Sequence, residues 1–193
     1  MINVLSVPQQ VTRLVFDTGQ PYEKFRSRYE AAVPPVGLRR PGDVAGRHAR
    51  WPDLAAHTGE PGPHGFVLYW RAVMTPLRAT AAKRRPCTAY LMGCPAIAEQ
   101  IYRHDPAVML CAPLRALIYI DPGDRTRFAV DHPSTVFAGF ADPAIAELGT
   151  GLDHQFAELL NALGIGTTEV LRAVRLAGHR SGDAKQAGAP GAW

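Results

Sequence analysis

The spacing of apolar residues along the chain predicts strands and helices in mixed order. Val11–Asp17 is rich in β-branched and aromatic residues, which favours a strand. Pro21 suits the first position of a helix, because its missing N–H would have no partner there. The residues that follow place four apolar side chains at helical spacing: Tyr22, Phe25, Tyr29 and Val33. We therefore expect a first helix up to about residue 33.

The second half of the chain predicts hairpins interleaved with helices. Gly65–Thr75 is apolar at both alternating positions, so we expect a strand that is buried on both sides or covered by a neighbouring segment. The remaining predicted elements are strands at Thr88–Met92, Leu114–Asp121 and Arg127–Asp131, and helices at Pro95–His104, 142–163 and 167–177. Since strands and helices do not alternate strictly, the predicted class is α+β. The expected architecture is a two-layer sandwich in which helices pack on one face of a largely antiparallel sheet.

A length of 193 residues suits one domain with extensions. We expect residues 1–163 to form a single α+β domain, residues 164–178 a C-terminal helix, and residues 179–193 a disordered tail. Residues 34–64 are rich in Pro and Gly, and so long an irregular stretch inside a compact domain is unusual and often functional. It is either a surface insertion or a lid that brings Trp51 to a pocket.

Composition excludes several kinds of partner. The hydrophobic fraction of 47% and the charged fraction of 20% are typical of globular proteins. The net charge of +4 is mild, and no basic stripe alternates with aromatic residues as in single-strand binders, so we predict no nucleic-acid partner. The first ten residues lack the pattern of a leader peptide, and no apolar run approaches the roughly 20 residues of a membrane helix. The sequence thus predicts a soluble, cytoplasmic protein without a membrane partner.

Metal and cofactor signatures are missing from the sequence. Cys87, Cys94 and Cys111 have neither CxxC nor zinc-site spacing, which favours free thiols in a reducing compartment. His57 and His64 share one loop, but two ligands are too few for a metal site. Neither a glycine-rich dinucleotide fingerprint nor a P-loop occurs. We therefore predict no metal and no cofactor.

One long segment resembles a known family. YLMGCPAIAEQIYRHDPAVMLCAPLRALIYID, followed by FAVDHPST, is similar to the domain-of-unknown-function 302 family. The matching pieces are a Y-x-x-G-x-P turn, a P-x-R strand, a V-D-x-P-S segment and a final D-P-x-I-A helix, over roughly residues 84–163. The resemblance implies a compact α+β fold, often dimeric, and no assigned activity. The chain departs from similar sequences in three places. Cys94 stands where they often have Asn, His132 stands where they often have Gln, and the 34–64 insertion is unlike a minimal member.

Candidate catalytic residues follow from the polar groups near the strand ends. His132 comes at the end of a predicted strand. It is either a general acid or base, because an unperturbed imidazole titrates near pH 6.5, or it is a structural histidine. Its neighbour Asp131 cannot face it, because adjacent residues point in different directions. Arg115 interrupts the apolar strand LRALIYI, where it either binds a substrate carboxylate or carbonyl or forms an ion pair with Asp131.

Candidate ligand-binding residues cluster before the second helix. Gly93 and Cys94 stand at its predicted N-terminus, where free N–H groups and the helix dipole favour negative charge. Aromatic residues complete the proposed pocket: Tyr90, Tyr69, Trp70 and Trp51. Apolar pockets with few polar anchors suit small organic ligands. We expect a small-molecule-binding protein or a cofactor-free enzyme for isomerisation, cyclisation or elimination. The alternative is a non-catalytic binding, sensing or structural domain that acts as a homodimer, through a strand edge or the terminal helix.

Overall fold

The structure, a computed structural model, describes residue 4 and residues 6–37, 61–74 and 85–166. Its strands are β1 (Arg13–Asp17), β2 (Val67–Val73), β3 (Cys87–Gly93), β4 (Leu114–Ile120) and β5 (Thr126–Asp131). Its helices are α1 (Tyr22–Ala32), α2 (Pro95–His104), α3 (Pro133–Phe137) and α4 (Pro143–Ala162), with a 3-10 helix at Pro106–Leu110. Residues 38–60 of the predicted insertion, which include Trp51, nearly all of the C-terminal helix, and the tail lie outside the described residues.

The five strands form one sheet in the order β1-β5-β4-β3-β2. Every neighbouring pair is antiparallel. The predicted α+β class with a largely antiparallel sheet is thereby confirmed. The β4–β5 hairpin closes over a short turn, whereas β1 reaches β5 from the far end of the sequence, and its register pairs Arg13 with Asp131 and Asp17 with Arg127.

The hydrophobic core lies between one face of the sheet and the helices. Phe128 of β5 stands at its centre, with ring centroids 5.7 Å from Phe25, 5.3 Å from Tyr29 and 6.2 Å from Phe156. Strand residues that face the core alternate along the chain: in β3, Thr88, Tyr90 and Met92 are buried and the residues between them are half-buried. Since the cluster joins helix residues to this face alone, the described helices pack on one side of the sheet.

The other side of the sheet, called the open face, consists of strand residues that point away from the helices. The strand register aligns them in three rows. The upper row is Trp70, Leu91, Arg115, Asp131 and Arg13; the middle row is Ala72, Ala89, Leu117, Ala129 and Val15; the lower row is Cys87, Tyr119, Arg127 and Asp17. A shallow depression of about 420 Å³ lies over the upper and middle rows.

The edge strand β2 differs from its prediction. Val67 and Leu68 are buried, but residues 69–73 are exposed or half-buried, because β2 is the last strand of the described sheet and has one neighbouring strand there, β3. Its first half is covered by a short segment that forms a bridge from Pro35 to Leu68. Burial on both sides is therefore wrong for residues 69–73, while the alternative of a strand covered by the insertion holds at Leu68, with which Pro35 of that insertion pairs.

Helix ends agree with the sequence in several places. The carboxylate of Asp142 accepts a hydrogen bond from the N–H of Ala144 at 2.8 Å, so the predicted cap of the long helix is confirmed. Gly164 follows that helix with φ of +80°, the left-handed conformation that glycine adopts most readily. Two short elements were not predicted: α3 and the 3-10 helix that begins directly after α2.

Candidate functional site

His132 lies in the core and not on a surface. It is 1% exposed and precedes α3, while Asp153 of α4 is 6% exposed. The Nε2 atom of His132 lies 3.0 Å from Oδ2 of Asp153. The other oxygen of Asp153 accepts a hydrogen bond from the N–H of Ser134 at 3.0 Å. The backbone N–H of His132 also donates to the carbonyl of Thr12, the residue directly before β1. His132 therefore connects the start of β1 with α3 and α4.

Asp131 and Arg115 lie on the open face, and their expected ion pair is replaced by another. The carboxylate of Asp131 accepts from Nε of Arg13 at 2.8 Å and from its Nη2 at 3.3 Å. Arg13 is the direct cross-strand partner of Asp131, and this pairing raises the pKa of the guanidinium. Arg115 is exposed beside them. Because His132 points into the core and Asp131 to the opposite side of the sheet, the three predicted catalytic residues do not converge.

The ring of Tyr90 is buried in the core, and its hydroxyl forms a polar contact at the edge of that core. Its hydroxyl donates to Glu30 at 2.9 Å, and Arg71 holds the other oxygen of Glu30 at 3.1 Å. Its ring lies edge-on to Tyr29 at 4.9 Å. Burial, followed by the Glu30 contact, raises the pKa of the Tyr90 hydroxyl far above its usual range. Tyr90 therefore stays protonated, and its hydroxyl is engaged by Glu30.

Three of the predicted ligand-binding residues do converge, in what we call the α2 pocket. This cavity of about 200 Å³ lies where β3 ends and α2 begins. It is lined by Tyr69, Gly93, Cys94, Ile97, Ala98, Ile101, Val108, Met109, Ala112, Pro113, Leu114, Phe137 and Leu152. Almost all of these side chains are apolar. The exceptions are the hydroxyl of Tyr69 and the thiol of Cys94, which belong to neighbouring elements.

The position of Tyr69 results from a bulge in β2. The register shifts between Leu68 and Trp70, so Tyr69 has no direct partner on β3. A bulge of this kind redirects the local side chains, and Tyr69 contributes to the α2 pocket while Trp70 faces the open side. At position 93 an added β-carbon would come within 3.2 Å of the Tyr69 ring, so glycine there lets the ring approach.

Cys94 combines the start of a helix with burial. It is the residue before α2 and is 5% exposed, and its carbonyl accepts the Ala98 N–H at 2.9 Å. Burial, together with the nearby Cys94, raises the pKa of the Tyr69 hydroxyl. The hydroxyl is therefore protonated at neutral pH and is available as a hydrogen-bond donor. The α2 pocket can thus hold an apolar body and offer it one donor beside a thiol.

The apolar wall of the α2 pocket was missed in the sequence. Ile97 and Ile101 of α2 were predicted as an ordinary core face, and Met109 belongs to the unpredicted 3-10 helix. The amphipathic stripe of α2 was the available signal, but such a stripe looks the same whether it meets a full core or a cavity. Trp51, the remaining predicted residue, lies outside the described residues.

The described part of the chain has neither a cluster of metal-binding side chains nor a helix able to span a membrane. Residues 4, 6–37, 61–74 and 85–166 contain no group of three or more His, Cys, Asp or Glu side chains arranged to hold a metal ion. Within the same ranges, no helix has both the length and the apolar character needed to cross a membrane.

The fold and the α2 pocket define an α+β domain in which a five-stranded antiparallel sheet carries its helices on one side. The chain belongs to the DUF302 family, a domain of unknown function, whose family model matches residues 64–163. That match includes β2 to β5 and all of the α2 pocket. The resemblance seen in the sequence is therefore confirmed.

A solved structure has a similar fold. It is the crystal structure of the uncharacterized conserved protein DUF302 from Bacillus stearothermophilus, which is 15% identical to this chain. The TM-score is 0.56, and the similarity covers 78% of this chain and 97% of that chain. At this identity the likeness shows the fold alone. No curated protein matches the chain.

Proposed function

We propose that this protein binds a small apolar organic molecule in the α2 pocket. The observation that carries the proposal is the composition of the lining: apolar side chains surround the cavity, and Tyr69 and Cys94, which interact electrostatically, are its two polar groups. Ligand sites commonly combine an apolar wall with a few polar anchors that fix orientation. The lining comes from seven elements, namely β2, β3, β4, α2, α3, α4 and the 3-10 helix, so the pocket depends on the fold and not on one loop.

The size and polarity of the pocket narrow the class of ligand. Its volume of about 200 Å³ is below the roughly 300–1,000 Å³ of pockets for drug-sized molecules. A compact body such as a single ring or a short branched chain suits this space. Because the protonated Tyr69 is a donor, the ligand needs one acceptor, such as a carbonyl oxygen, on that side. A strongly charged ligand is disfavoured, since no ionised side chain lines the cavity.

Turnover in this pocket would be proton-transfer chemistry without a cofactor, such as isomerisation, cyclisation or elimination. The Tyr69 hydroxyl is the group placed to donate a proton or polarise a carbonyl, with the Cys94 thiol next to it. His132, Asp131 and Arg115 do not line the pocket. If either His132 or Arg115 acts in a reaction, His132→Ala or Arg115→Ala must lower its rate without unfolding the protein.

Ligand binding can be tested with nuclear magnetic resonance of the full chain. Isoleucine and leucine methyl groups would be labelled, and small cyclic ketones, alcohols and hydrocarbons would be added one at a time. Ile97, Ile101 and Leu152 line the pocket, so their methyl signals should shift in a saturable way with a ketone. Ile118, which is buried under the sheet, is the internal control. Uniform shifts at all four residues, or none with any compound, would contradict the proposal.

A non-catalytic domain that acts as a homodimer is the second candidate function. The open face supports this second candidate, because sheet surfaces with an apolar middle row are seldom left exposed to solvent. A cytoplasmic location and the lack of nucleic-acid partners stay predictions from the sequence.

A further inference from the structure

A second cavity, which we call the end groove, lies at the upper end of the open face. It has a volume of about 700 Å³ and includes four residues of the upper row: Arg13, Leu91, Arg115 and Asp131. Its other walls come from the segment before β1, from the 3-10 helix and the turn after it, and from α3. Pockets for organic ligands commonly measure roughly 300–1,000 Å³, so the end groove has room for a larger molecule than the α2 pocket.

Arg115 is a cation of the end groove that has no anionic partner among the described residues. The charged side chains that line the groove in this part of the chain are Arg13, Arg115 and Asp131. Both oxygens of Asp131 accept from Arg13, at 2.8 and 3.3 Å. Within residues 4, 6–37, 61–74 and 85–166, no ion pair or hydrogen bond joins the Arg115 guanidinium to another side chain. Two positive charges and one negative charge therefore leave the groove with an uncompensated cation.

The thiol of Cys111 lines the end groove near Arg115 without neutralising it. Burial raises the pKa of this thiol, and the positive charge of Arg115 acts in the opposite direction. Because an unperturbed thiol already titrates near about pH 8.5, the Cys111 thiol stays protonated at neutral pH. The charge of Arg115 is therefore available to an anion that enters the groove.

The remaining wall of the end groove is largely apolar and partly exposed. Leu110, at the end of the 3-10 helix, is 90% exposed, and Val11, before β1, is 42% exposed. Leu91 of β3 and Val136 of α3 also line the groove. A ligand with an apolar body would remove this surface from water, which is favourable in proportion to the apolar area buried. The groove thus combines a cation with apolar walls.

We propose that the end groove binds an organic carboxylate, whose head is held by the Arg115 guanidinium and whose apolar body lies against Leu91 and Leu110. A planar guanidinium matches a carboxylate through two parallel N–H bonds. One negative charge on the ligand balances the one uncompensated cation of the groove. A dianion such as a phosphate ester is disfavoured, because its second charge would face the carboxylate of Asp131.

The end groove and the α2 pocket are separate sites that share one wall. Residues 112–114 line both cavities. Arg115 lines the end groove and not the α2 pocket, whereas Tyr69 lines the α2 pocket and not the end groove. A carboxylate therefore belongs to the end groove, where a guanidinium is available, and a neutral ketone to the α2 pocket. Binding in the end groove does not depend on binding in the α2 pocket.

Methyl nuclear magnetic resonance of the full chain with phenylacetate tests this site. Leu91 and Leu110 line the end groove and not the α2 pocket, so their methyl signals should shift in a saturable way. The signals of Ile97 and Ile101, which line the α2 pocket alone, should stay unchanged. Phenylacetamide has the same shape without the charge and should bind about tenfold more weakly, because charge-assisted hydrogen bonds are lost. Acetate, the head without the apolar body, should also bind more weakly than phenylacetate.

Substitutions at Arg115 separate its charge from its shape. Arg115→Gln should weaken the binding of phenylacetate by about tenfold and leave that of phenylacetamide unchanged. Arg115→Lys keeps the charge but loses the planar fork, so its affinity for phenylacetate should be intermediate. Arg103→Gln removes an exposed arginine of α2 that does not line the groove, and this matched control should bind as the wild type does. Circular dichroism of each variant checks its folding.

Equal affinity of the wild type for phenylacetate and phenylacetamide would overturn the proposal. So would unchanged phenylacetate binding by a folded Arg115→Gln variant, or shifts that appear at Ile97 and Ile101 and not at Leu91 and Leu110. Ketone binding in the α2 pocket without any binding of phenylacetate would reject the end groove alone. Phenylacetate binding that depends on Arg115, without any ketone binding, would support the end groove and reject the α2 pocket alone.

Discussion

The imidazole of His132 lies 3.0 Å from the carboxylate of Asp153, and both side chains are buried. The two residues come from different elements and are 21 positions apart. His132 follows an aspartate, Asp131, and Asp153 precedes a histidine, His154. Neither residue forms a comparable contact with that neighbour. His154 instead contacts the carbonyl of Thr150 within its own helix at 2.9 Å. The buried pair thus connects the end of the sheet to α4.

Breaking this pair should destabilise the protein. Removing one partner of a buried polar contact leaves the other partner's polar group buried and unpaired, which typically costs about 1–3 kcal/mol. We expect Asp153→Ala to lower the free energy of unfolding, measured by urea denaturation, by about that amount. His154→Ala, at the adjacent exposed position, is the control and should change it by less than about 0.5 kcal/mol. Equal effects of the two substitutions would show that the pair has no structural role.

Acid stability should depend on Asp121. The N–H of Arg125 and the guanidinium of Arg127 donate to its carboxylate at 3.0 and 2.7 Å, and the N–H of Gly123 also donates. The backbone bond from Arg125, followed by the Arg127 bond, lowers the pKa of Asp121 to about 2. Because an unfolded Asp titrates near about 3.9, its stabilising contribution is present above that pH and is lost as the pH falls towards about 2.

The check on Asp121 is a series of urea denaturations between neutral pH and pH of about 2. The wild-type midpoint should fall within the window from about 4 to about 2 more steeply than that of Asp121→Asn. Glu147→Gln, an exposed carboxylate of α4, should retain the wild-type slope. If the slopes of wild type and Asp121→Asn coincide, the hydrogen-bond cluster does not control acid stability.

The cap of α4 gives a smaller effect that can be separated from a neighbouring contact. Asp142 accepts from the Ala144 N–H, and its other oxygen lies 3.0 Å from Nδ1 of His104. Loss of a cap costs about 1 kcal/mol. Asp142→Ala should therefore lower the free energy of unfolding by about that value, while Asp142→Ser, which keeps an acceptor, should recover most of it. A serine variant as unstable as the alanine variant would assign the effect to His104.

The Tyr69 hydroxyl should contribute to affinity for any ketone that binds the α2 pocket. A neutral hydrogen bond contributes about 1 kcal/mol, so Tyr69→Phe should weaken binding by about three- to tenfold. Isothermal titration of both proteins with the same ketone measures the difference. A hydrocarbon of the same size is the matched control and should bind both proteins equally. An equal loss for ketone and hydrocarbon would mean that Tyr69 only shapes the cavity.

Most of the fold was predictable because it follows local patterns. The period of apolar residues indicated α2 with its observed bounds, and Asp142 marked the start of α4 because capping is a property of neighbouring residues. Relationships between distant residues were not predictable. The partner of Asp131 is Arg13, which depends on β1 joining the sheet beside β5. The partner of His132 lies on a helix whose approach no local pattern encodes.

The candidate site was predictable only in part for the same reason. Gly93 and Cys94 were selected because they precede a helix, and they do line the pocket with Tyr69. Tyr69 and Trp70 were predicted to share one site, but a bulge separates them, and a bulge depends on pairing with β3. Tyr90 was selected for its position in β3 and lies in the core because of strand alternation.

Filling the α2 pocket tests its role as a binding site most directly. Ala98 lines the cavity, whereas Ala96 of the same helix is exposed. Ala98→Phe should therefore abolish the methyl shifts caused by the ketone and lower its affinity at least tenfold, while Ala96→Phe should bind as the wild type does. Both variants would be checked for folding by circular dichroism. Undiminished ketone binding by a folded Ala98→Phe variant would contradict the account.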